Sequence, residues 1–327
     1  MSNFISEANL KMWAKIGTRA TFGLAALELV KSFNNMIVIT GDVSTSAGLD
    51  RFKKKYPDKY IDVGIAEQNM IGVAAGLSSE GFNVVTTTFS PFQTARCCEQ
   101  IKVCLGYMKN KITMVGLASG LTLGTLGYTH CSIEDVAMLR GIPNISIISP
   151  ADSCETVKAF IASLKHEKSV YLRLTGGSTS NQIYFKDYDF KIGKSVEIKK
   201  GEDIAIISCG AMVYESLKAS EILKSKNINP TVINMHTIKP IDTEALSNIC
   251  KKYKLIFTVE EHNIIGGLGS AVSEYVSSST QNIKHISLGI PDRYSQGGNY
   301  SFLKKHFGLE AESISNTISK HLQSTKS

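Results

Sequence analysis

Short apolar runs recur through the first half of the chain, each separated from the next by enough residues to hold a helix. The runs at 36–40, 83–87, 112–115, 145–148 and 170–174 are built mainly from apolar and β-branched residues, with Ile, Val and Thr prominent. That pattern predicts strands covered on both faces rather than strands with one wet side. Strands alternating with helices predict a parallel sheet wrapped by helices, an α/β fold whose active groups sit in loops at the carboxyl ends of the strands. The polar, glycine-rich run Gly176-Gly177-Ser178-Thr179-Ser180-Asn181 breaks the alternation, and a connecting segment follows to about residue 195. Beyond it the alternation resumes on a smaller scale, with strands expected at 204–208, 231–234, 255–259 and 283–286. The expected division is a first domain over 1–180, a linker over 181–195 and a second domain over 196–327. No internal repeat or low-complexity stretch is present.

One segment does more than fill a gap between strands. Asp62-Val63-Gly64-Ile65-Ala66-Glu67-Gln68-Asn69 runs into Met70-Ile71-Gly72-Val73-Ala74-Ala75-Gly76-Leu77, which is apolar on every face. A helix starting near Glu67 is therefore expected to be largely buried and to carry its acid inward. An unpaired buried carboxylate is costly. Glu67 is then either a helix-terminal acid stabilised by the macrodipole or a catalytic device held in a dry pocket. A second segment, Gly266-Gly267-Leu268-Gly269, has the look of a phosphate loop. It lacks the dinucleotide fingerprint and follows Glu260-Glu261-His262, so close packing of a helix is the better reading.

Composition narrows the class. With 327 residues and 43% hydrophobic content the chain can bury two domain cores. Its formal charge of +7 is spread without a long block. The run Lys53-Lys54-Lys55 has no supporting motif and reads as a solvated face, not a nucleic-acid patch. The positive field suits anionic substrates. Seven cysteines at odd count and without paired metal spacing argue against a disulfide framework and fit a reducing cytoplasm. Cys97 and Cys98 fall in an expected helix and read as small buried hydrophobes. Neither a leader pattern at the first residues nor a membrane-length apolar span is present in the sequence.

The Asp62–Asn69 segment resembles the signature around the cofactor-activating glutamate of the transketolase and deoxyxylulose-phosphate synthase family of thiamine-diphosphate enzymes. The resemblance continues in order through Thr88-Phe89-Ser90-Pro91-Phe92, Gly127-Tyr128-Thr129-His130, Pro143-Asn144-Ile145-Ser146 and Ser149-Pro150-Ala151-Asp152. It implies a pyrimidine-binding domain followed by a smaller α/β transketolase C-terminal domain. Glu67 would then share a proton with the cofactor's pyrimidine, general acid–base catalysis through the cofactor. Phe89 and Phe92 would stack on that ring, with Ile65 and Asp42 lining the same pocket. Arg19, Ser46 and Arg173 match positions that grip the distal phosphate of a sugar, where guanidinium forks supply charge and directed donors together. His130 matches a catalytic histidine beside the sugar hydroxyls.

Two departures from the family pattern stand out: Thr125-Leu126 lies where an acidic pair is usual, and Ala118 where a sugar-contacting histidine is usual. These changes point to an acceptor other than the common pentose and hexose phosphates. The family's Gly-Asp-Gly segment for diphosphate and magnesium is missing from this sequence, and no metal ligand is expected here. The resemblance therefore implies the C-terminal subunit of a split transketolase, in an α2β2 assembly with an N-terminal partner that holds the metal. Competing readings are the beta subunit of a 2-oxo-acid dehydrogenase, a deoxyxylulose-phosphate synthase fragment, and a noncatalytic scaffold of the same fold.

Overall fold

Each apolar run read as a strand overlaps one in the computed structural model, which describes residues 4–176 and 181–324. The first domain contributes β1 (Met36–Thr40), β2 (Tyr60–Asp62), β3 (Asn83–Phe89), β4 (Ile112–Leu117), β5 (Ile145–Ile148) and β6 (Ser169–Arg173). The second contributes β7 (Val196–Lys199), β8 (Ala205–Ser208), β9 (Thr231–Asn234), β10 (Thr237–Lys239), β11 (Leu255–Asn263) and β12 (Lys284–Ile290). They form a seven-stranded sheet in the order β10-β5-β6-β4-β3-β1-β2 and a five-stranded sheet in the order β12-β11-β8-β9-β7. Both are parallel except for one antiparallel edge each, β10 on β5 and β7 on β9.

The strands that the sequence pattern did not reveal are β2, β7 and β10. All are edge strands. β2 and β7 are only partly covered, so neither carries the continuous apolar signature of a central strand. β10 crosses from the second domain to complete the first domain's sheet, with Thr237 opposite Ile148. Only the assembled sheet supplies its partner.

The large sheet lies between two apolar layers. On one side Phe22 and Trp13 from the helix Glu7–Leu29 pack with Phe160 from the helix Ser153–Lys165. On the other side Met70 and Ile71 from the helix Glu67–Ser79 pack with Leu139 and Ile101, and this layer continues into the second domain through Met235 and Ile256. The Glu67 helix carries its acid inward as expected, but it is less buried than its apolar run suggests. Gln68, Asn69, Gly72, Gly76 and Ser79 are exposed along one side, and within the run 70–77 the exposed positions are the two glycines, which carry no polar side chain to mark that side in the sequence.

Residues 177–180 of the expected boundary lie outside the described residues. The segment that follows is strapped down. Asp152 accepts from the amides of Ile183 and Tyr184 at 2.8 and 2.9 Å, and Tyr188 donates its hydroxyl to the buried Glu155. The Gly193 amide reaches the Thr237 hydroxyl at 3.1 Å, and that of Ser195 reaches Asp242 at 2.8 Å.

At Gly266–Gly269 the helix packs closely, as its glycines suggest. The Glu260 carboxylate takes the amides of Leu268 and Gly269 at 2.6 and 2.7 Å. A Cβ on Gly267 would lie 2.0 Å from Glu260 Oε2. The helix terminus thus binds an anion supplied by its own domain, and burial pushes the Glu260 carboxyl up to about 7 against those two hydrogen bonds.

Candidate active site

The candidate residues gather at the carboxyl edge of the large sheet, where parallel α/β sheets place their chemistry. Phe89 ends β3, Arg173 ends β6, and Asp42, Gly64 and Ala118 lie just past β1, β2 and β4. Asp62 organises two of these loops at once. Its Oδ1 accepts from the amides of Asp42 and Gly64, both at 3.0 Å. Asp42 itself is exposed and sits at φ 58°. The short path from Gly64 then delivers Glu67 to the first turn of its helix, while Ile65 stays 77% exposed.

Glu67 is 3% exposed and its carboxylate is paired. Arg96 Nη1 donates to Glu67 Oε1 at 2.7 Å. The same guanidinium lies over the Phe92 ring, 3.9 Å from its centroid. Phe92 meets Phe89 edge-on at 6.4 Å and the His130 ring at 5.2 Å. Glu67, Arg96, Phe92, Phe89 and His130 therefore form one connected cluster. Nearby, burial, then the charge of Glu67, push the Cys97 thiol up to about 12, which leaves it an inert neighbour.

His130 sits on a turn braced by the second domain. Its Nδ1 contacts the Thr129 hydroxyl at 3.0 Å. Tyr128 hydrogen-bonds Ser295 at 2.9 Å, its ring lies 5.0 Å from that of Tyr294, and the Gly298 amide donates to the Gly124 carbonyl at 3.0 Å. Leu126, at the tip of that turn, is 56% exposed. Ala118 is buried, at φ 52°.

Arg19 and Ser46 line a separate cavity of about 230 Å³ with Ile16, Gly17, Ala20, Thr45 and Gly48. The helix that carries Arg19 kinks at Gly17, φ 76°, a conformation that favours glycine. Burial pulls the Arg19 guanidinium below its ordinary value. Arg173, the third residue of the expected phosphate trio, does not line this cavity. It is 2% exposed, with Nε on Asp135 Oδ2 at 2.8 Å and Nη2 on the carbonyls of Ser132 and Glu261, both at 3.0 Å. A guanidinium spent on an internal carboxylate and two carbonyls has its directed donors turned to the protein, not to a phosphate. Burial raises the Asp135 carboxyl, but Arg173 and then His262 outweigh it and hold it below the usual carboxylate range.

The corner at Glu67 has the chemistry of a site for a flat nitrogenous ring. A buried carboxylate acceptor and an aromatic face already hold a planar N–H-bearing group, the Arg96 guanidinium. Models of the "Transketolase, pyrimidine binding domain" and "Transketolase, C-terminal domain" match residues 14–180 and 193–314. The chain belongs to the transketolase family. It is 38% identical over 311 residues to a putative transketolase C-terminal section of Methanocaldococcus jannaschii, covering 94% of this chain and 96% of that one. It is 37% identical over 289 residues to one of the subunits of the apulose-4-phosphate transketolase of Actinobacillus succinogenes, with 88% and 93% covered. A solved split-gene transketolase, described as an inactive β4 tetramer, superposes with a TM-score of 0.84 at 32% identity, covering 94% and 98% of the two chains. This transketolase chain thus corresponds to one subunit of a split enzyme, and the dehydrogenase reading falls away.

Sequence reasoning missed Arg96. Its spacing of four from Phe92 was the available signal, since residues at that interval can share a face of a helical turn.

Proposed function

We propose that this chain is the C-terminal subunit of a split transketolase that moves a two-carbon ketol unit from a ketose phosphate to an aldose acceptor in the cytoplasm. The observation that carries the reading is the Glu67–Phe92 corner, a buried carboxylate beside an aromatic face with His130 against it. Thiamine diphosphate bound there would supply the nucleophilic carbon. Glu67 would hold and pass a proton on the pyrimidine side, and Phe89 and Phe92 would orient the ring, with Ile65 and Asp42 at its margins. His130 would move a proton at a sugar hydroxyl. Arg19 and Ser46 would hold a phosphate in their cavity. The division at 1–180, 181–195 and 196–327 is the domain plan that goes with this role.

The diphosphate and its magnesium ion fall to a partner subunit in this proposal, because the sequence has no Gly-Asp-Gly segment to hold them. The assembly proposed with that partner is α2β2. The test is reconstitution. The chain alone should be folded and inactive, and ketol transfer should appear on mixing with the partner, thiamine diphosphate and magnesium. Activity is then compared across phosphorylated and unphosphorylated donors and acceptors. Full turnover by a rigorously partner-free preparation would overturn the split-site reading.

A further inference from the structure

Arg96 is drawn into the site by two contacts at once. Its guanidinium donates to Glu67 Oε1 at 2.7 Å and covers one face of Phe92 at 3.9 Å. The backbone beneath it is pinned, because Gln68 Nε2 donates to the Arg96 carbonyl at 3.0 Å and the Cys97 amide to the Thr94 carbonyl at 3.1 Å. The side chain is not pinned in the same way: it is 41% exposed, while the Glu67 side chain is 4% exposed. A long cationic arm on a fixed hinge can leave for water; the buried carboxylate cannot follow it.

On the functional reading above, the two groups Arg96 engages are the two that an aminopyrimidine needs, an acceptor oxygen and an aromatic face. We infer that Arg96 is a displaceable counter-ion of the cofactor pocket: it neutralises Glu67 and covers Phe92, and the cofactor's pyrimidine must push it aside to bind. A guanidinium suits the task because it is flat, stacks on aromatic rings and offers N–H groups in its own plane. An ammonium would provide the charge without the shape. The device spares Glu67 the cost of a buried, unpaired charge. It also sets a toll on binding, since apparent affinity falls by the fraction of molecules in which Arg96 has already moved.

The experiment measures equilibrium binding of thiamine diphosphate, and of thiamine without its phosphates, to the full chain copurified with its partner subunit. Quenching of intrinsic fluorescence gives Kd without turnover. Arg96→Met should tighten both ligands by a similar factor of roughly tenfold, because the competition is at the pyrimidine and not at the diphosphate. Arg96→Lys, which keeps the charge and loses the planar fork, should show a smaller gain. In a Glu67→Gln background the Arg96→Met gain should shrink, the signature of coupled partners. Unchanged or weaker binding in Arg96→Met, with the wild type binding normally, overturns the inference and leaves the functional reading standing. No binding by the wild-type complex removes the functional reading and this inference with it. Should Arg96→Met fail to fold, Arg96→Lys decides: a gain supports displacement, and an equal or weaker Kd overturns it.

Discussion

Glu67 shows how much one residue's surroundings decide. The helix dipole and the Arg96 guanidinium both stabilise its carboxylate, so its burial is tolerated before any ligand is considered. Glu67→Gln keeps the volume and removes the transferable proton. Exchange of the cofactor's C2 proton in the reconstituted complex should drop by about a hundredfold to ten-thousandfold, the usual span of a general acid–base contribution. Near wild-type exchange would reduce Glu67 to a structural acid. Leu126, on the turn that leads to His130, is exposed, so a polar replacement costs little in folding. Leu126→Asp should raise kcat/KM for ribose 5-phosphate as acceptor. Equal values before and after would remove this position from acceptor choice.

Among the elements, the segment expected as a linker, 181–195, is strapped to the body by a buried polar anchor. Asn234 donates to both oxygens of Glu155 at 2.9 Å, and the Tyr184 and Tyr188 rings stack at 4.2 Å. Phe190 stacks on His236 at 4.3 Å. Burial lowers the His236 imidazole to about 4, so between that value and its ordinary 6.5 the unfolded chain binds more protons than the folded one. Stability therefore falls as pH drops through this window, by at most about 1.4 kcal/mol per pH unit for this group. His236→Phe keeps the stacking and removes the titration. Its denaturation midpoint should fall less steeply between pH 6.5 and 4 than that of the wild type, and an identical slope would show that His236 does not contribute to acid sensitivity.

Across the whole molecule, Arg173 joins the two domains. It ties Asp135, at the first turn of the helix Asp135–Arg140, to the Glu261 carbonyl on β11. Breaking one side of a buried pair leaves a charge uncompensated and costs about 3–5 kcal/mol. Asp135→Asn and Arg173→Met should each destabilise the chain by about that amount in urea, and the double variant by less than the sum. If Arg173 instead served a sugar phosphate, Arg173→Met would leave stability near wild type and weaken only phosphorylated substrates. β10 reinforces the same joint by completing the first domain's sheet.

The order of strands and helices and the family were legible in the sequence, because central parallel strands leave apolar runs and the motifs are local in the chain; those motifs also named Glu67, Phe89, Phe92 and His130, which the structure brings into one cluster. The edge strands β2, β7 and β10 were not legible, since β2 and β7 are only partly covered and lack that signature, and the three residues of β10 need the first domain's sheet as a neighbour. Nor could the sequence separate Arg19 from Arg173. Both are arginines in matching motifs, yet one lines an open cavity and the other is closed inside an ion pair with Asp135. The pairing of Arg96 with Glu67 likewise brings together residues 29 apart. Charge partners are set by distance in space, and only the packed structure fixes that.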